Sequence, residues 1–287
     1  MTILLLMNRL DITRQKQVVA NLVEGNSLRA TARITGVARM TIEKLLRDLG
    51  TACAKMQDDK LRQLPCKRIE ADEIWAFCGA KEKNAKPEKK AQGWGDVWTW
   101  TAIDSDSKLI VSYLVGNRDS SCATRFMKDV ASRLKNRVQL TTDGFKPYLW
   151  AVDDAFVGEI DYAVLQKIYG KLPGSDQETR YSPAQCIGMK MEVINGDPDL
   201  AMASTSYVER QNLTMRMHMR RFTRLTNGFS KKVENHAHAV SLHFAYYNFC
   251  KIHTTLRTTP AMAAGVTNRL WEIEDLLALL HPHPEPN

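Results

Sequence analysis

No apolar run in the chain is long enough for a membrane span or a signal-peptide core, and the opening stretch from Ile3 to Met7 is too short for either. A soluble, unexported, cytoplasmic protein is therefore expected. The 6 cysteines (Cys53, Cys66, Cys78, Cys122, Cys186, Cys250) contain no C-x-x-C pair and keep no regular spacing. That excludes the disulfide framework of a small secreted domain and the close ligand pairs on which a structural zinc usually draws. Reduced, mostly buried thiols and no zinc are expected. Internal repeats are missing as well, and the one biased stretch, Lys81 to Lys90 with Asn84 and Pro87 inside it, reads as a mobile loop. Acids are scarce in one region: from Arg210 to Arg257 the only acid is Glu234, set against Arg210, Arg216, Arg220, Arg221, Arg224, Lys231, Lys232, Lys251 and Arg257.

What is present is enough for a substantial core. The chain has 287 residues, 44% of them hydrophobic, which excludes disorder throughout and allows one or two domains. With 40 Lys+Arg against 32 Asp+Glu, the formal charge of +8 favours a polyanionic partner. Nucleic acid, a ribosome and a membrane surface all satisfy that charge, as does a merely basic soluble protein.

The first 50 residues have a helical pattern. Val18, Val19, Leu22 and Val23 form an apolar stripe over Arg14 to Val23, Glu24-Gly25-Asn26 breaks it, and Ser27 can cap a second helix that stops at Gly36. A third helix is expected from about Arg39 to Leu49, ended by Gly50. Ala32 is small where the two helices touch, Gly36 permits a positive φ in the turn, and Ile42 and Leu45 bind the last helix to the others. These features predict a helix-turn-helix, with Arg39, Thr41, Lys44 and Arg47 facing a DNA major groove and its phosphates. A helical bundle that binds protein is the competing reading.

After a linker at 51–66, the pattern changes to strands. Arg68 to Trp75 alternates, and Val97 to Ile103 and Leu109 to Val115 are rich in β-branched and aromatic residues around the turn Asp104-Ser105-Asp106-Ser107. A helix follows from about Ser121 to Leu134, striped by Met127, Val130, Ala131 and Leu134, then a strand from Val138 to Thr142 ending at Asp143-Gly144. The order β-β-β-α-β predicts an α/β fold with an RNase H-like mixed sheet over residues 67–250. Tyr148 to Asp199 reads as an additional strand and helices, or a small insertion at about 148–199. Residues 251–287 read as a C-terminal segment whose His281-Pro282-His283 tail is disordered.

Two acids occupy meaningful places on that sheet. Asp72 lies within the first strand and Asp143 ends the fourth. If those strands are neighbours, about 4.8 Å apart, both carboxylates can serve one pair of divalent ions. Glu209, in Ser206-Tyr207-Val208-Glu209-Arg210-Gln211-Asn212, is the best third candidate, because it opens a helical stretch expected to run to Asn227-Gly228. Arg216 and Arg220 fall near its helix face and bring cations able to hold phosphate. Glu192 is the second choice for that ligand, since it lacks the basic helix.

Asp72, Asp143 and Glu209, with Arg216 seven residues later, resemble the DDE signature of transposases and retroviral-type integrases. The strings Asp72-Glu73-Ile74-Trp75, Thr142-Asp143-Gly144, Tyr207-Val208-Glu209-Arg210-Gln211-Asn212, Tyr247-Asn248-Phe249 with His253, and Thr259-Pro260-Ala261 resemble bacterial insertion-sequence transposases. They are most similar to the insertion-sequence-one family and its single-frame relatives, from the helix-turn-helix to about Gly265. The chain departs from the better-known members in lacking paired cysteines for a zinc finger, and in the 66 residues by which Glu209 follows Asp143.

The resemblance implies two Mg2+ (or Mn2+) ions held by Asp72, Asp143 and Glu209. It implies hydrolysis of a phosphodiester at each element end to free a 3′-OH, then attack of that 3′-OH on target DNA. Arg210 and Arg216 would hold phosphate beside the metals, on double-stranded DNA comprising terminal inverted repeats and target. A homodimer or higher oligomer on DNA, at the bacterial nucleoid, follows from the need to join two ends. Two alternatives remain at this point: a transposase-derived DNA-binding regulator, and a structure-selective RNase H-like nuclease such as a junction resolvase.

Several neighbouring residues have structural readings. Strand alternation sends Glu73 to the face opposite Asp72, so only one is expected as a ligand. Asp104 and Asp106 suit a hairpin turn. His236, His238 and His243 share a helix whose stripe Val233, Ala237, Val240, Phe244 and Tyr247 forms core, and are expected at the surface or hydrogen-bonded. Trp94, Trp98 and Trp100 could stack on extruded bases, with strand packing the default for the last two.

Overall fold

A computed structural model describes residues 10–170, 185–223 and 227–281. The opening run at Ile3 to Met7, Arg224 and the tail beyond His281 lie outside the described residues. The chain is mixed α/β and divides into two compact units. One comprises residues up to Arg62, Trp75–Trp98 and the chain from Asn212; the other comprises Gln63–Ile74 and Thr99–Gln211.

In the first unit, helix α1 (Ile12–Val23) begins where the Asp11 side chain accepts the Arg14 N–H at 2.9 Å, and α2 (Leu28–Thr35) where Ser27 accepts the Ala30 N–H at 3.1 Å. Gly36, at φ +67°, ends α2 in the left-handed region, which a side chain would disfavour. Helix α3 is longer than its pattern predicts and spans Arg39–Lys60. Gly50 lies inside it and does not stop it. Helix α8 (Val233–Phe249) crosses at that point, and a Cβ on Gly50 would fall 2.5 Å from the His238 carbonyl oxygen, so glycine serves close packing here. Residues expected as linker are thus helical up to Lys60. Val18, Val19, Ile42, Leu46 and Leu49 form the core between these helices.

Strand β1 covers Arg68–Cys78, and the Lys-rich stretch after it forms a 3₁₀ turn (Glu82–Asn84) and the single-turn helix α4 (Pro87–Lys90) in place of the expected loop. Strands β2 (Gly95–Asp104) and β3 (Ile110–Gly116) are joined by a turn in which Asp104 accepts the Ser107 N–H at 2.9 Å. Helix α5 (Ser120–Arg133), strand β4 (Gln139–Thr142) and helix α6 (Pro147–Phe156) follow. Strands β5 (Asp161–Gly170) and β6 (Gln185–Asn195) are antiparallel partners. The stretch read as an additional strand and helices, or a small insertion, supplies one helix and two strands of the main sheet, whose order is β3-β2-β1-β4-β5-β6. β4 lies parallel to both β1 and β5. Apolar α5 residues Phe126, Met127 and Val130 are fully buried, and α5 packs on α6.

Helix α7 (Ser206–His218) ends earlier than expected: Met219 turns extended, at φ −137° and ψ 100°, and Arg220 falls in a short 3₁₀ turn beyond it. Helix α8 (Val233–Phe249) carries the core stripe at Val240, Phe244 and Tyr247. The C-terminal segment is structured up to His281. A short helix α9 (Pro260–Ala263) precedes α10 (Ile273–Ala278), which starts with a capping box between Glu272 and Asp275. Trp271 lies 4.7 Å from Phe249, centroid to centroid, and α10 packs on α1, α3 and α8. Four of the six cysteines are buried, Cys186 is exposed and Cys250 is intermediate; all are free thiols. Among the described residues no helix is long and apolar enough to cross a membrane.

Candidate active site

Register brings the first two carboxylates together. On the parallel pair β1 and β4, Ala71 partners Thr142, so the next residues along, Asp72 and Asp143, leave the pair side by side. Carboxylate oxygens of Asp72, Glu73 and Asp143 all lie within 4.8 Å of one another. Burial pushes the Asp72 carboxyl up to about 7, helped by the charges of Glu73 and Asp143 and, more weakly, of Glu209. A crowded set of oxygen donors that resists ionisation fits a hard divalent cation, which relieves the repulsion that raises Asp72.

Glu73 is the member that alternation alone would not place there. Alternation sets the direction of the Cβ; it does not set where a longer side chain ends when partners hold it. Arg118, in the loop between β3 and α5, donates Nε–H to Glu73 Oε1, and the Tyr148 hydroxyl donates to Oε2 at 2.9 Å. Burial and the Asp143 charge raise the Glu73 carboxyl, while Arg118 opposes them. The Arg118 guanidinium also lies 4.0 Å from Asp143 Oδ2 and 3.9 Å from the Phe145 ring centroid. Beneath it, Trp100 packs against Phe126, Phe145 and Tyr148, so Trp100 is core and not a base-stacking platform. Asp143 is half-exposed, and its Oδ1 accepts the Phe145 N–H at 2.9 Å.

Glu209 is engaged differently. Lys167 of β5 donates to both of its carboxylate oxygens, at 2.5 and 2.6 Å, and the Thr205 hydroxyl donates to Oε1 at 2.8 Å. Glu209 thus stands near enough for its charge to reach Asp72, but outside the three-carboxylate cluster. Glu192 lies on β6, exposed, with Lys190 at 3.4 Å, and is not in the cluster either.

A further acid of β1, two residues before Asp72, sets the start of α7. Glu70 Oε2 accepts the N–H groups of Tyr207 at 2.8 Å and Val208 at 3.0 Å, and Ser105 donates to Oε1 at 3.3 Å. Those N–H groups have no partner within the helix, and the helix dipole favours a carboxylate there. Burial nevertheless raises the Glu70 carboxyl. The strand that carries Asp72 therefore also anchors the helix that carries Glu209.

Among the expected DNA contacts, Arg39, Thr41, Lys44 and Arg47 are all exposed at the start of α3, and Lys44 pairs with Asp48 at 2.5 Å. Arg210 is exposed and Arg216 half-buried on α7. Arg39 and Arg220 line one cavity in the first unit. Of the histidines of α8, His236 is buried with its Nδ1 3.0 Å from Ser230 Oγ, in line with the hydrogen-bonded expectation, whereas His243 departs from it: it is buried and neither ring nitrogen has a hydrogen-bond partner among the described residues. Arg118, Lys167, Tyr148 and Glu70 carry no local signal in the sequence, because each gains its meaning from a residue at least 42 positions away. No known family model matches the chain, and no curated protein matches it.

Proposed function

We propose that the chain is a DDE-type transposase that cuts and joins DNA at the ends of a mobile element in the bacterial cytoplasm. The observation that carries this reading is the meeting of Asp72, Glu73 and Asp143 within 4.8 Å just beyond the paired stretch of the parallel strands β1 and β4, with the charge of Glu209 on α7 felt by Asp72. The sheet order is compatible with an RNase H-like core, and α1 to α3 with their Gly36 turn are compatible with a helix-turn-helix.

Asp72, Asp143 and Glu209 are the residues that would hold Mg2+ or Mn2+, two ions, with Glu73 beside them as a donor or as the group that holds Arg118. When bound, the ions supply Lewis acidity for in-line displacement at phosphorus. In the first step water attacks the phosphorus at an element end, the bond from phosphorus to the 3′ oxygen breaks, and a 3′-OH and a 5′-phosphate result. In the second, that 3′-OH attacks a target phosphodiester and the target's own 3′ oxygen leaves. Arg118, fixed by Glu73, presents a cation beside Asp143 for the transferred phosphate, and Arg210 and Arg216 extend the positive surface along α7. Arg39, Thr41, Lys44 and Arg47 bind the terminal repeats, and a dimer or higher oligomer brings two ends together.

The test incubates the full chain with DNA carrying both element ends and Mg2+ or Mn2+, beside Asp72→Asn. Metal-dependent 3′-OH formation and joining are expected, and neither in the variant. Hydrolysis without joining would replace this reading with a structure-selective nuclease, and end binding without any chemistry would replace it with a regulator.

A further inference from the structure

The first unit contains a cavity of about 660 Å³, within the range of small-molecule sites. Its walls come from the turn between α1 and α2, the first turns of α3, residues 218–221 and 227–232, and one face of α8. Arg29, Arg39, Arg220, Arg221, Lys231 and Lys232 line it, against a single acid, Glu43. Two of these charges are already committed: Glu43 accepts from Asn235 Nδ2 at 2.7 Å, and Arg221 donates to Ser230 Oγ at 3.0 Å and to the Asn235 carbonyl at 2.9 Å. The other five cations form no ion pair among the described residues.

The floor of the cavity has a different chemistry. Leu46, Met219, Phe229 and Leu242 make it apolar, and His243 is among its lining residues, 5% exposed and with both ring nitrogens unpartnered among the described residues. Burial and the neighbouring His218 and Lys251 push His243 down to about 3, so at neutral pH its ring offers one donor and one acceptor and no charge. Buried polar groups of folded proteins are nearly always hydrogen-bonded, so an enclosed imidazole among the lining residues, with both ring nitrogens unpartnered among the described residues, points to a partner from outside the chain. A ligand that fits has a flat, largely apolar body able to exchange a hydrogen bond, and several negative charges at one end.

We infer that this cavity binds a nucleoside phosphate, with its phosphates among Arg29, Arg39, Arg220, Lys231 and Lys232 and its base on the apolar floor within reach of His243. The inference does not rest on strand cleavage at the carboxylates. The ligand is either a free nucleotide or the terminal nucleotide of a DNA strand, since both present the same chemistry.

Calorimetric titration of the full chain tests it, with deoxyadenosine triphosphate, inorganic triphosphate and a short 5′-phosphorylated single strand as probes. The nucleotide or the strand is expected to bind at least about tenfold more tightly than inorganic triphosphate. Lys231→Ala with Lys232→Ala weakens binding about tenfold and flattens its salt dependence by about two counterions. His243→Leu weakens it to a similar extent with the salt dependence unchanged, because the lost group is neutral. Binding of the free nucleotide identifies a free ligand; binding of the strand alone, with the same response to both variants, identifies a strand end. Absence of saturable binding by all three probes overturns the inference, as does equal affinity for inorganic triphosphate and nucleotide with no effect of His243→Leu. If His243→Leu fails to fold, the double lysine substitution, at exposed positions, and the inorganic triphosphate comparison decide. Asp72→Asn is expected to bind like the parent, so a failed strand-cleavage assay leaves this test standing.

Discussion

Asp72 is surrounded by carboxylates and is pushed up to about 7, whereas His243 borders cations and is pushed down to about 3. The two centres thus hold their unfavourable charge in opposite ways. Around Asp72, like charges are fixed by strand register and by Glu73's partners, and burial together with their repulsion favours the protonated carboxyl. Around the cavity of the first unit, the one buried ionisable ring stays neutral and the cations stand at the rim. The comparison teaches that burial acts against the charged form in either sign, raising an acid and lowering a base, and that the neighbouring charges of the same sign add to it in both places.

The largest effect expected from breaking this contrast is at the carboxylates. Asp143→Asn should lower metal-dependent nicking by at least about a thousandfold, equivalent to about 4 kcal/mol in the barrier, while end binding measured by gel shift stays within about threefold. Next comes Glu70, which caps α7. Glu70→Ala leaves two helix N–H groups without their acceptor and should destabilise the chain by about 2–3 kcal/mol in a urea titration. Glu70→Gln, which retains an acceptor oxygen, should lose markedly less; equal losses would mean that the charge and not the hydrogen bonds matters.

Acidity separates the two centres by sign. A carboxyl whose folded value is raised from 3.8 to about 7 binds more protons in the native state, so its ionisation lowers stability as pH rises through that window. His236 and His243, lowered from 6.5 to about 3, bind fewer protons when folded, so they lower stability as pH falls from about 6.5 towards 3. In metal-free protein, Asp72→Asn should therefore melt at least about 3 °C above the parent at pH 8 and at nearly the same temperature at pH 4. A constant offset at both values would assign the effect to packing. The smallest effect is expected at the surface of α3: Arg39→Ala with Lys44→Ala should weaken end binding about tenfold and lower the salt slope by about two, read by binding titrations at several salt concentrations.

The strands β1 to β4 and helix α5 were legible because alternation and helical periodicity are local properties of the chain. Ser27 and Gly36 marked α2 for the same reason, since capping and positive φ act within a few residues. Helix ends were read less well where a distant element intervened. Gly50 looks like a terminus until α8 crosses it, and the basic stretch after Glu209 looks continuous until Met219 turns away. The segment around 148–199 reads as either an additional strand and helices or a small insertion, and the choice stays open in the sequence because β5 and β6 acquire their meaning only by joining the sheet.

At the candidate site, Asp72, Asp143 and Glu209 could be proposed from strand order and motif, but their partners could not. Arg118 and Tyr148 hold Glu73 from separate loops and helices, Lys167 holds Glu209 from β5, and Glu70 anchors α7. Likewise the charge excess after Arg210 was plain in the sequence, whereas the cavity that gathers Arg39, Arg220 and His243 was not. The sequence by itself determined the elements, the basic balance and the residue types available for phosphate and metal chemistry, because propensity, periodicity and charge belong to neighbours along the chain. Only the tertiary structure decided which carboxylates share a site and which histidine is left without a partner, because burial and long-range hydrogen bonds exist only once distant segments are packed.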